Sequence, residues 1–299
     1  MVEEKKVITR RDFIRSSSCV AMGSLMGLPL LENPSGKKSG KSRVVLVRDK
    51  GVLDGQGMPK PGILQKMVDQ CVTALLDAPD PTSAWKQLIS PSDIVGIKSN
   101  VWHYLPTPKA LEAGIRKRLV DVGVKKENMA ADDRGVLRNA IFKRSTALIN
   151  VRPMRTHHWS GLGTLIKNYI MFVPSAWKYH GNACENLGSI WQLPHVMGKT
   201  RLNILVMLTP LFHGIGPHHF SRQHTWRYCG LIVSTDPVAA DATGARIIQA
   251  KRDAFFGTGR PISPPPLHIA AADTRFRLGN SHPDRIQLIK LGWEEDVLI

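Results

Sequence analysis

Four stretches of this chain place cationic, amide and imidazole side chains directly after apolar runs. Lys98, Ser99 and Asn100 follow Ile94-Val95-Gly96-Ile97. Arg152, Arg155, Thr156, His157 and His158 follow Ala147-Leu148-Ile149-Asn150-Val151. The run 202–208 leads to His213, Gly214, Gly216, His218 and His219, and Leu231-Ile232-Val233 leads to Ser234, Thr235 and Asp236. Lysine and arginine at strand ends suit a phosphate or carboxylate, and N–H groups at a following helix start add to such a site. Gly161 and Gly163 let backbone approach a ligand, with Lys167 and Asn168 just beyond. The candidate ligand-binding residues are therefore Lys98, Asn100, Arg155, Lys167 and Asn168. The alternative is that Lys167 and Asn168 sit within a helix and only brace the loop.

Asp236, Asp241 and His157 are the candidate catalytic groups, as bases or metal ligands. Asp236 also fits a plain helix N-cap ahead of Pro237. Asp241, if buried, needs a partner such as Arg155 or Lys98. Of eleven histidines, His157, His158, His213, His218, His219 and His224 gather in two clusters, with His180 between them. A metal ion is the candidate cofactor, on His157, His213 and His218, although the spacing matches neither HExxH nor a zinc finger. The alternative is that these loop histidines bond to backbone or face solvent. There is no G-x-S-x-G, and a Cys–His pair using Cys184 or Cys229 rests on sequence proximity alone. The chain has four cysteines and no CxxC, which speaks against an iron–sulfur cluster. Cys71, Cys184 and Cys229 read as small buried residues, with one disulfide the alternative in an oxidising compartment.

The elements that must position these groups alternate. Strands are expected at 43–48, 93–98, 128–131, 147–151, 202–208 and 230–233, with a last edge strand at 285–289. Helices are expected at 62–76, where Ile63, Met67, Val68, Cys71, Val72 and Leu75 form one stripe, at 108–122, at 163–172 and after Asp236. Alternation of this kind implies an α/β fold with a layered, largely parallel sheet flanked by helices. In such sheets ligands bind beyond the carboxyl ends of the strands, so the four polar stretches are expected to converge on one rim.

Thr9-Arg10-Arg11-Asp12-Phe13 followed by a short, Gly- and Ser-interrupted apolar segment looks like a twin-arginine export signal over 1–31. The apolar core is short for a membrane span. Residues 32–42 read as a linker. The expected localisation is periplasmic or exported, with an uncleaved signal as an inner-membrane anchor the variant of that reading, and the twin-arginine translocase is the implied partner. Of 299 residues, 42% are hydrophobic, which supports a packed core. The formal net charge is +17, and the first 43 residues, with nine Lys/Arg and four Asp/Glu, supply little of it. That surplus favours anionic partners, and the export signal directs the expectation away from nucleic acid.

Val95-Gly96-Ile97-Lys98-Ser99-Asn100, Arg155-Thr156-His157, Gly161-x-Gly163-Thr164-x3-Lys167-Asn168, Gly214-x-Gly216-Pro217 and Ser234-Thr235-Asp236-Pro237-Val238-Ala239-Ala240-Asp241 together resemble the domain of unknown function 362 (DUF362) family over most of 43–250. The resemblance implies an α/β domain, often exported by the twin-arginine route, with no settled activity; residues 251–299 would be a C-terminal extension packing on it. Relatives labelled as iron–sulfur proteins carry cysteines that this chain lacks. The family usually has Lys-Thr-His where this chain has Arg155-Thr156-His157, acidic residues near Met207 and His213, and Asn at Ile215. Loss of carboxylates shifts a site toward anions and away from hard cations. The resulting expectation is a basic, His-rich pocket in a redox or accessory enzyme acting on an anionic small molecule. The alternative is a non-catalytic periplasmic binding or assembly partner of a membrane complex, using its basic face and Trp102, Trp159, Trp177, Trp191 and Trp226.

Overall fold

Val44 to Val47 set the pattern for the whole molecule. Side chains alternate across a strand, and here both faces are apolar, as in a strand covered on both sides. The computed structural model describes residues 40–214 and 220–299. The expected export signal at 1–31, most of the expected linker, and Gly216, His218 and His219 lie outside the described residues.

The chain forms β1 (Ser42–Arg48), α1 (Pro61–Leu76), α2 (Pro81–Leu88), β2 (Val95–Lys98), α3 (Lys109–Asp121), β3 (Met129–Asp132), α4 (Ala140–Arg144), β4 (Ala147–His157), β5 (Gly161–Gly163) and α5 (Leu165–Asn168). Three 3-10 segments follow, at Tyr169–Phe172, Ala176–Tyr179 and Asn182–Gln192. The remainder is β6 (Thr200–Leu211), β7 (Gly230–Ser234), α6 (Pro237–Phe256), α7 (Leu267–Thr274) and β8 (Ile286–Gly292). The eight-stranded sheet has the order β3-β2-β4-β6-β7-β1-β8, with β5 paired to β4. The fold is α/β with a mostly parallel sheet flanked by helices.

One apolar layer packs Leu64, Met67 and Val68 of α1, Trp85 of α2 and Leu111 and Ile115 of α3 against Val45, Val47, Ile97, Ile149 and Ile204. The other packs Val238, Ile247 and Ile248 of α6 and Ile269 of α7 against Val44, Leu46, Leu148, Leu205 and Ile232. Each fully buried aliphatic side chain of this kind contributes about 1.5–3 kcal/mol. The α1 stripe is the expected one, except that Leu64 is buried and Ile63 is only partly so. Among the described residues, no helix is long and apolar enough to cross a membrane.

Four expectations change. β7 is antiparallel to both β6 and β1, so Ser234 to Asp236 emerge at the rim opposite the carboxyl ends of β2, β4 and β6. No α-helix lies between Leu211 and Gly230 among the described residues, and without a crossover helix a neighbouring strand returns antiparallel. β4 continues through Arg152, Arg155, Thr156 and His157 instead of ending at Val151. The expected helix at 163–172 divides into the end of β5, the short α5 and a 3-10 turn. In the C-terminal part, α6 runs through position 250 to Phe256, so the expected domain boundary falls inside a helix, and β8 joins the sheet edge in parallel with β1.

Candidate functional site: a buried cationic cluster

At the carboxyl rim, β2, β3 and β4 lie side by side, with Lys98 registered against Asp132 on one side and Asn150 on the other. Lys98 is fully buried. Its Nζ donates to Asp133 Oδ1 (2.5 Å), Ser99 O (2.8 Å) and Asn168 Oδ1 (3.4 Å). Asp133 Oδ2 accepts from Val101 N at 2.9 Å. Burial outweighs the attraction of Asp133 and lowers the Lys98 ammonium to about 8.

Asn168 ties this lysine to β4. Its Nδ2 donates to Lys98 O (3.1 Å), Asn150 Oδ1 (2.8 Å) and Val151 O (3.2 Å), while Arg152 Nη1 lies 3.5 Å from its Oδ1. Arg152 and Arg155 are three residues apart and would face opposite ways on a regular strand. The register of β4 against β6 shifts between Pro153 and Arg155, and both arginines reach the space beside Gly163. A Cβ on Gly163 would stand 2.8 Å from Arg152 Nη2 and 3.3 Å from Arg155 Cγ, so the glycine leaves room for the pair. Arg155 Nη1 donates to Asn100 Oδ1 at 3.0 Å, and its guanidinium lies 4.3 Å above the Trp102 ring. Burial lowers both guanidiniums, Arg152 to about 10 and Arg155 well below its ordinary range.

Lys167 comes from α5, whose N-cap is Thr164. It is 2% exposed, and its Nζ has one hydrogen-bond partner among the described residues, Cys184 Sγ at 3.4 Å. Burial first, then Arg152 and Arg155, lower it to about 8. Cys184 sits in a run of three left-handed residues, with φ of 44° at Asn182, 51° at Ala183 and 62° at Cys184. Such conformations cost about 1–2 kcal/mol each outside glycine and are held only by surrounding structure.

Several donors in this cluster are left without acceptors. Arg152 Nε, Arg155 Nε and Thr156 Oγ1 are buried and have no hydrogen-bond partner among the described residues. His157 is buried beside them, and burial together with Lys167, Arg152 and Arg155 holds it neutral, far below the ordinary imidazole range. Its ring stacks with His158 (5.1 Å between centroids), and Trp159 in turn stacks on His180 at 4.0 Å. Trp102, Tyr104 and Phe220 form a second aromatic group at the same end of β2.

The structure therefore brings together Lys98, Asn100, Arg155, Lys167, Asn168 and His157, and it separates Asp236 from them. Asp236 caps α6, accepting from Val238 N (2.8 Å) and Ala239 N (3.0 Å), and takes Ser42 Oγ (2.5 Å) and Asn280 N (2.8 Å) at the far rim. A Cβ on Gly279 would fall 1.8 Å from its Oδ1, so only glycine fits there. Asp241 is fully buried and accepts from Leu165 N and Ile166 N, each at 2.9 Å. Those are the helix N–H groups expected to help hold a ligand, and a carboxylate of the chain already occupies them. Asp241 meets neither expected cation as a hydrogen-bond partner; burial raises it to about 7, against the pull of Arg152. His213 packs on His224 and Phe256, with Arg252 Nη1 3.2 Å from its Nδ1. Among the described residues, no group of three His, Cys, Asp or Glu side chains is arranged to hold a metal ion. Cys71, Cys184 and Cys229 are free and buried. The tryptophans split: Trp102 and Trp191 are buried, while Trp177 is 71% exposed.

Sequence reasoning missed Asp133, Cys184 and His268 as members of this region, and it placed Arg152 on the rim without counting it among the ligand-binding residues. His268 of α7 is fully buried, with Nε2 2.9 Å from Thr164 Oγ1. Asp133 carried a usable signal, since it follows a short strand and so belongs on the same rim. Two surface depressions, one lined by Lys86, Ile89 and Arg201 and the other by Gln65, Asp69 and Pro79, share no residue with the cluster.

Residues 110–246, from the start of α3 into α6, match the model of the family described as "Domain of unknown function (DUF362)". The match spans somewhat less than half of the chain and supports the DUF362 family for this protein. No curated protein and no solved structure matches the chain.

Proposed function

We propose that this protein is an exported anion-binding protein whose ligand sits among Lys98, Asn100, Arg152, Arg155, Lys167 and Asn168. One observation carries this reading. Among the described residues, Lys167 has only a thiol as hydrogen-bond partner, while Arg152 Nε, Arg155 Nε and Thr156 Oγ1 have none, and all of these groups are buried. An unmet buried donor costs about 1–3 kcal/mol, more when it is charged, and a multi-oxygen anion removes several such costs at once. Binding is favoured over catalysis, because Asp241 is committed to backbone N–H groups and Asp236 to a helix cap. The cations around His157 oppose a metal ion at that imidazole. Export rests on the Arg10-Arg11 motif and the apolar segment after it. The test is thermal unfolding and calorimetry with inorganic phosphate and acetate, on the wild type and Arg155→Met. Anion-dependent stabilisation of the wild type that the variant loses is expected; a wild type stabilised by neither anion defeats the proposal.

Trp177, 71% exposed beside Lys178, favours a second reading as a docking partner of a membrane complex. Trp177→Ser would then abolish co-sedimentation with membranes and leave phosphate binding intact.

A further inference from the structure

The acidic groups near the cluster are all engaged. Asp133 uses one oxygen on Lys98 Nζ and the other on Val101 N. Asp241 uses one on Leu165 N and the other on Ile166 N. Glu112, the next buried carboxylate, accepts from Ser99 Oγ and is paired with Lys109 at 2.9 Å. Asp132 is partly exposed and accepts from Gly135 N and Asn139 Nδ2. The cluster itself therefore holds four buried cations, Lys98, Arg152, Arg155 and Lys167, against the two carboxylates of Asp133 and Asp241. Among the described residues, two of these positive charges have no buried carboxylate as counterpart. Interior charges are screened far less than surface ones, so salt in the medium does not cancel this excess.

We infer that the ligand of this site carries two negative charges, as the head of a phosphate monoester or a dicarboxylate does, and that a monoanion of the same shape is a poor substitute. The inference rests on the reading that this cluster binds an anion. A dianion brings the buried charge to balance, whereas a monoanion leaves one cation unpaired. The lowered proton affinities of Lys98 and Lys167 come first from burial, which Asp133 offsets in part at Lys98 and Cys184 at Lys167, while Arg152 adds to the lowering of both. Lys167 is the most weakly paired member, so its charge is the one the ligand most directly answers.

Methyl phosphate and methyl sulfate share a tetrahedral shape and differ by one charge near pH 7.5, because the second phosphate proton leaves near pH 6. Titration calorimetry on the full chain at that pH compares them, with malonate and acetate as a second pair that separates the two sources of a dianion. The expected result is that at least one dianion binds about 30-fold or more tightly than its monoanionic counterpart, since an added charge within a few ångströms of an unpaired interior cation is worth well over a tenfold change. In Lys167→Met, with one cation fewer, that ratio should fall to about threefold or less. Equal binding within both pairs overturns the dianion inference and leaves an anion site standing. No binding by any of the four overturns the site as well. A variant that binds and keeps the full preference overturns the charge count.

Discussion

Replacing Lys167 with methionine should make the ligand-free protein more stable. The ammonium is 2% exposed and is lowered from 10.5 to about 8, so holding it charged in the fold costs about 3 kcal/mol near pH 7. Methionine keeps an unbranched chain of similar volume against Cys184 and loses only a weak hydrogen bond to sulfur. The net gain should be about 2–3 kcal/mol, a rise in melting temperature of about 5–10 °C for a domain of this size. The sign of the pH dependence follows from the same shift. An unfolded lysine keeps its proton to about pH 10.5, whereas Lys167 in the fold gives it up near 8. Between those values the unfolded chain holds more protons, so wild-type stability gains from this group as pH rises. Lys167 faces Arg152, Arg155, His157, His180, His268 and Cys184, and none of the three histidines gains charge in that window. Lys98 has the same shift, so the variant should keep its share of the rise and lose that of Lys167. Urea unfolding at several pH values from 7 to 10.5 reads both effects. A variant less stable than the wild type at pH 7, or one with an unchanged slope, refutes the account of an uncompensated buried charge.

Asp133→Asn removes the carboxylate bonded to Lys98 and should cost about 3–5 kcal/mol in urea unfolding; pairing it with Lys98→Met should recover most of that loss. Gly163→Ala puts a methyl group 2.8 Å from Arg152 Nη2, so phosphate affinity by calorimetry should fall about tenfold or more, with about 1–3 kcal/mol lost in stability. Asp236→Ala should cost about 1–2 kcal/mol through the lost α6 cap and leave anion affinity unchanged, because Asp236 lies at the other rim.

The positions of the clustered side chains were legible where local pattern and topology agree. Lys98 and Asn100 follow an apolar strand flanked by parallel neighbours, so the strand-end rule put them at the rim correctly. Asp236 failed the same rule because β7 runs the other way. The signal for that reversal was present: the stretch between Leu211 and Gly230 is rich in His, carries Gly214, Gly216 and Pro217, and has no apolar helical stripe to serve as a crossover. β4 was cut short because Arg152, Arg155 and Thr156 read as loop residues; a strand interior that buries two guanidiniums violates the usual partition of charge. Cys184 was beyond reach, since its contact with Lys167 depends on a left-handed turn that no residue type in Asn182-Ala183-Cys184 demands.

Those failures share a physical cause. Propensity and burial rules describe the least costly local choice, and around this site the chain departs from it repeatedly. It buries four cations, breaks the alternation of β4 and holds three residues left-handed. The sheet can carry this because both of its faces are covered by large apolar layers that do not depend on the four cations. Of the two carboxylates within reach, one is spent on a helix start, although a direct pairing of Asp241 with Arg152 would lower the electrostatic cost. A region shaped only for stability would convert these cations to apolar residues, as such replacements are often neutral or stabilising. Their joint presence beside donors that lack acceptors among the described residues fits the anion site proposed above, and it sets the direction of the Lys167→Met test: higher stability and lower affinity from one substitution.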